Sequence, residues 1–153
     1  MDRYGIDFLC IQDTKCIEYE DFFSNYLAVL VFLCILLQST KLKRHGIGFI
    51  VVPRMAPYLQ KVKAHSDRIG VATFRGEGDT AVHIVNVYSP HEGYDIAAMD
   101  EFYEDLRSVC ESFRPNDIFF VAGDFNSKLG RRREFGDFMG NFGRGRRNRK
   151  KTE

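Results

Sequence analysis

The sequence predicts an α/β protein in which sheet packs on sheet or on helix. Three observations carry this. Short apolar runs bounded by Gly, Pro or charged residues recur along most of the 153 residues, as buried strands do. One stretch late in the chain has strong helical spacing. The length suits one domain with a single core, and no internal repeat suggests an array.

The elements follow in chain order. GIDFLCIQ (5–12) is an apolar run ending in polar residues, as a buried strand would. YLAVLVFLCILL (26–37) is rich in Val, Leu and Ile and fits a strand or a buried helix equally well. GIGFIVVP (46–53) is a strand bounded by Gly and Pro, and residues 54–67 read as irregular. RIGVATFR (68–75), the GEGD turn (76–79) and TAVHIVNVY (80–88) form a hairpin. SPHEGYD (89–95) is a loop. Residues 95–113 then place Ile96, Met99, Phe102, Tyr103, Leu106, Cys110 and Phe113 on one helical face, with Asp95 as N-cap and Pro115 beyond the end. DIFFVAGDFN (117–126) is the last strand, expected to be buried at its start. Beyond it Gly, Arg and Asn follow with no period, so residues 131–153 read as a disordered basic tail.

At 44% hydrophobic and 28% charged, the composition is that of a soluble globular chain. The net charge of +1 hides an asymmetry: residues 1–127 carry 18 acidic and 12 basic side chains, residues 128–153 carry 3 and 10. Such a tail suits nucleic acid, an acidic partner or a nuclear import receptor, so the expected location is intracellular or nuclear. Cys10, Cys16, Cys34 and Cys110 show no CxxC pair and no zinc spacing, and read as reduced thiols. The N-terminus lacks the layout of a signal peptide. The longest apolar run, residues 27–37, is shorter than the ~20 residues a membrane span takes, so no membrane role is expected. Oligomeric state is not legible.

Polar side chains stand just past three apolar strands: Gln12-Asp13-Thr14-Lys15, Asn86 and Tyr88 with Ser89-Pro90, and Gly123-Asp124-Phe125-Asn126. If these strands lie side by side, their ends converge on one edge. Carboxylates and an amide gathered there suit a hard divalent cation and a phosphate, because Mg²⁺ takes oxygen ligands and keeps several waters. An amide and a tyrosine hydroxyl donate to phosphoryl oxygens. A nearby carboxylate orients or deprotonates water.

These stretches carry a resemblance. LCIQDTK resembles the LQET element of the endonuclease/exonuclease/phosphatase superfamily, VAGDFNSKLG its GDFN element, and HIVNVYSP the strand and tyrosine turn between them. DFLCIQDTK, RHGIGFIV and GDFNSKLG are similar to stretches in the endonuclease domains of non-LTR retrotransposons, and the likeness covers residues 5–130. The resemblance implies a partial two-sheet β-sandwich flanked by helices, of deoxyribonuclease I-like type and incomplete, over residues 1–130. It implies metal-dependent phosphodiester hydrolysis in DNA with Mg²⁺ or Mn²⁺. Asp13 matches the metal-binding glutamate, Tyr88 the phosphate-contacting tyrosine, Asp124 the acid that handles water or leaving group, and Asn126 the phosphate-orienting amide.

The chain departs from that pattern. Position 13 is Asp where the family has Glu, which withdraws the carboxylate by about one C–C bond. The family's first-strand asparagine is absent, and no histidine follows Asn126. His45, His65, His83 and His91 lie elsewhere and read as surface or structural residues. The expectation is a truncated domain with at most trace activity. The alternatives are a non-catalytic nucleic-acid-binding protein that uses the basic tail, or a retrotransposon remnant without function.

Overall fold

The computed structural model describes residues 2–14, 21–23, 33–37, 46–91 and 93–127. The tail at 131–153, residues 27–32 of the apolar run, Lys15, Cys16 and His45 lie outside the described residues. The architecture is mixed α/β. Among the described residues, two four-stranded sheets pack face to face and one α-helix covers the outer side of the second. It is the partial sandwich expected from the sequence.

The first sheet contains β1 (Phe8–Gln12), β2 (Asp21–Phe23), β3 (Leu33–Leu37) and β4 (Ile47–Val51) in the order β1-β4-β3-β2, every pairing antiparallel. The C-terminal end of the 26–37 run is thus a strand. The second sheet contains β5 (Leu59–Ala64), β6 (Ile69–Arg75), β7 (Ala81–Tyr88) and β8 (Ile118–Asp124) in that order. β5 to β7 are antiparallel. β8 runs parallel to β7, after a crossover through α1 (Ile96–Glu111). Asp95 caps α1 by accepting from the Ala98 N–H at 2.8 Å.

Strand alternation divides the second sheet into two apolar faces. Ala72, Phe74 and Ile84 face the first sheet and pack with Ile47, Phe49 and Val51. Ile69, Val85 and Val87 face the other way and pack under Phe102 and Val109 of α1. A Phe or Ile buried as fully as Phe49 or Ile84 contributes roughly 1.5–3 kcal/mol over leaving it exposed. Cys10 lies beside the inter-sheet core, and burial pushes its thiol up to about 11; burial also raises the Cys110 thiol. Both are free thiols.

The structure corrects four local expectations. Residues 54–67 are not irregular: they hold a 3-10 turn (Ala56–Tyr58) and strand β5. β2 carried no signal in the sequence. Ile96 is 79% exposed, and Val109 takes a buried place on α1 instead. The start of β8 is exposed rather than buried, with Ile118 at 51%, Phe119 at 43% and Phe120 at 56%. β8 is an edge strand, and α1 lies over its neighbours. Among the described residues no helix is long and apolar enough to cross a membrane.

Candidate functional site

The strand ends that carry the polar residues meet where the two sheets open. Parallel pairing of β7 with β8 sets Tyr88 opposite Asp124, and the Ser89 N–H continues the ladder to the Asp124 carbonyl at 2.8 Å. Asn126 folds back onto both strands. Its backbone N–H donates to Asp124 Oδ1 at 2.8 Å and its side-chain amide donates to the Ser89 carbonyl at 2.7 Å. Asp13 arrives from the first sheet at the end of β1, close enough that its charge acts on Tyr88. The structure thus brings Asp13, Tyr88, Asp124 and Asn126 to one edge.

Backbone geometry singles out the same place. Among the described residues, Asp13 (φ 53°) and Asn126 (φ 47°) are the non-glycine residues with positive φ. Gly123, just before Asp124, has φ 145°, and a Cβ there would collide with the Val87 carbonyl and lie 2.8 Å from the Val87 nitrogen. The G of GDFN is therefore required by close approach of β8 to β7.

Burial raises the Tyr88 hydroxyl above its usual range, helped by the carboxylates of Asp13 and Asp124 and opposed by Arg68. Tyr88 thus remains a protonated donor at neutral pH. Arg68 was not singled out in the sequence. It precedes β6 opposite Tyr88, donates to the Tyr88 carbonyl at 3.1 Å, and places its guanidinium 4.8 Å from the Tyr94 ring and 5.8 Å from the Tyr88 ring. Its signal was available: the hairpin register that pairs Ile69 with Val87 puts position 68 beside 88.

Asn86 takes a different place from the one its neighbours suggested. It is not at the edge but fully buried between the sheets. Its amide donates to the Ile11 carbonyl at 3.1 Å and the Gly48 carbonyl at 2.7 Å, and its Oδ1 accepts from Gln12 Nε2 at 2.6 Å. One side chain thus ties β7 to β1 and β4, bonded to the residue just before Asp13.

No described histidine stands with Asp124 as a base. His83 is buried on the outer face, between Thr73 (3.0 Å) and Asp117 (3.3 Å), and stacked on Phe113. His65 faces Asp105 at 3.8 Å. His91 lies in the loop after Tyr88, turned edge-on to Tyr94, and accepts from the Gly93 N–H. Among the described residues no three His, Cys, Asp or Glu side chains form a cage for a metal. What the edge offers is oxygen ligands from Asp13 and Asp124, a donor set that fits one largely hydrated Mg²⁺ or Mn²⁺ and not a dehydrated transition metal.

No family model matches the chain. Among curated proteins it is similar to craniofacial development protein 2 of Bos taurus, at 28% identity over 148 residues that cover 97% of this chain and 24% of the relative. It is equally similar to craniofacial development protein 2 of Tragulus javanicus, at 28% identity over 148 residues that cover 97% of this chain and 25% of the relative. The chain spans about a quarter of the length of the curated relatives it matches.

Proposed function

We propose that the chain is part of a metal-dependent phosphodiesterase domain of the endonuclease/exonuclease/phosphatase type, related to retrotransposon endonucleases and directed at DNA. One observation carries the reading. The two strained non-glycine residues of the described chain, Asp13 and Asn126, are both in the set that the motifs nominate, and they share one edge with Tyr88 and Asp124. Strained backbone of this kind gathers at sites where a side chain must be held for chemistry.

Each side chain has a role that its geometry supports. Asn126, fixed by the Ser89 carbonyl, presents its amide to a phosphoryl oxygen. Tyr88 donates its hydroxyl proton to a second oxygen. Asp124, with Oδ1 held by the Asn126 N–H, orients the attacking water through its carboxylate. Asp13 would hold the cation, which supplies charge neutralisation at the phosphate. Arg68 adds a fixed positive charge beside Tyr88 for a flanking phosphate. With no histidine paired to Asp124 among the described residues, the expected nicking rate is trace only.

The test reads binding as well as turnover. Substoichiometric Mn²⁺ added to the full chain is expected to broaden the amide signals of residues 12–14, 87–89 and 123–126, and the Asp13→Ala variant is expected to abolish that broadening. Trace Mg²⁺-dependent nicking of plasmid DNA should disappear in Asp124→Ala. Absence of Mn²⁺ broadening at this edge would overturn the proposal.

A further inference from the structure

A second concave site lies on the opposite face of the second sheet, away from Tyr88 and Asp124. It is a cavity of about 320 Å³ between the C-terminal half of α1 and the outer face of β5 and β6. Lys61 and Lys63 line it from β5, Thr73 and Val71 from β6, and Val109 and Phe113 from the helix side.

Its charge is set by strand geometry. Lys61 and Lys63 are two residues apart, so both face the cavity, with Cα atoms about 6.6 Å apart at the usual strand rise. Two ammonium groups at that spacing bracket one phosphate, each donating to a different oxygen. Among the described residues neither lysine has an ion pair, whereas Asp117 and Asp105 both have partners. Asp117 accepts from Arg114 at 2.8 Å and faces His83, and Asp105 faces His65. The C-terminal carbonyls of α1 lend a partial negative charge of roughly half a unit, which two full charges outweigh.

The remaining walls suit an organic body. Thr73 pairs with Lys61 in the β5–β6 register and its hydroxyl is oriented by His83 at 3.0 Å. His83 is in turn stacked on Phe113 at 4.1 Å between centroids and 7° between planes, which fixes the floor of the cavity. Val71, Val109 and Phe113 give it an apolar side. We propose that this cavity binds a small phosphomonoester, its phosphate between Lys61 and Lys63 and its apolar or aromatic body against Val71, Val109 and Phe113.

Lysines on an edge strand also discourage pairing with other chains, a role that needs charge but no cavity. The experiment separates the two. Phenyl phosphate is titrated into the full chain in the presence of chelator, followed by chemical shifts at Thr73, His83 and Val109, with phenol and inorganic phosphate as partial ligands. Phenyl phosphate is expected to bind about tenfold or more tightly than either fragment, and Lys61→Gln/Lys63→Gln to weaken it by at least about tenfold. Asn126→Ala, which alters only the edge described above, should leave the affinity unchanged. Lack of shifts at the cavity, or a double variant that binds within about threefold of the parent, would overturn the proposal.

Discussion

Asn86 is the residue whose removal tests the architecture most directly. Its side chain is completely buried and carries three hydrogen bonds across the sandwich, two given to the Ile11 and Gly48 carbonyls and one accepted from Gln12. A buried hydrogen bond contributes about 0.5–1.5 kcal/mol net, and leaving partners unsatisfied raises the cost. Truncation to alanine also opens a small void between β7, β1 and β4. Asn86→Ala is therefore expected to lose about 3–4 kcal/mol. Against a typical domain stability of ~5–15 kcal/mol, that is a large share of the total.

The assay is urea unfolding of the parent, Asn86→Ala, Gln12→Ala and the double variant. Gln12→Ala breaks one of the three bonds and should cost about 1 kcal/mol. The coupling energy from the cycle should be of similar size, because the two amides share that bond. A loss below about 1 kcal/mol in Asn86→Ala would refute the reasoning, since it would mean the sheets do not depend on this bridge.

Two further perturbations follow from the geometry. Gly123→Ala places a methyl group against the Val87 carbonyl at a positive φ, so the β7–β8 pairing must shift. Unfolding should show a loss of about 3 kcal/mol or more, and a change under ~0.5 kcal/mol would contradict the collision. Asp117 is held well below the usual carboxylate range, first by Arg114, then by the Ala81 N–H and His83. A depressed folded pKa stabilises above the unfolded value of 3.8 and is lost as pH falls below it. The parent should therefore lose more stability than Asp117→Asn as pH falls from 5 to about 2, and equal losses would show that the carboxylate is not so engaged.

The parts that the sequence made legible are those where one local signal decides. The helix at 96–111 followed from its period and its Asp95 cap, and the β6–β7 hairpin from two apolar runs around GEGD. β5 was missed because Lys61 and Lys63 break the apolar run of LQKVKA. Only one side of that edge strand packs against the core, through the half-buried Leu59, Val62 and Ala64. The exposure of β8 was missed for the opposite reason. IFFVA is as apolar as a core strand, and hydrophobicity does not say what lies on top. The motifs nominated Asp13, Tyr88, Asp124 and Asn126 without their neighbours. Tyr88 and Asp124 become adjacent only through a parallel crossover, and Arg68 joins them only once the hairpin register is known.

That edge also explains why the fold tolerates strain where it does. A non-glycine residue at positive φ costs about 1–3 kcal/mol unless its surroundings fix it. At Asn126 the surroundings are explicit: the Asp124 carboxylate holds its N–H and the Ser89 carbonyl holds its amide. At Asp13 the flanking residues are held, Gln12 by Asn86 and the Thr14 N–H by the Gly46 carbonyl at 3.0 Å. The buried amide between the sheets and the strained residues at their mouth are thus one connected system. Asn86 fixes Gln12, the residue before Asp13, and the β7–β8 ladder carries Asp124, whose carboxylate holds the Asn126 N–H. A loss of the inter-sheet bridge should therefore reach the edge residues before it unfolds the sandwich.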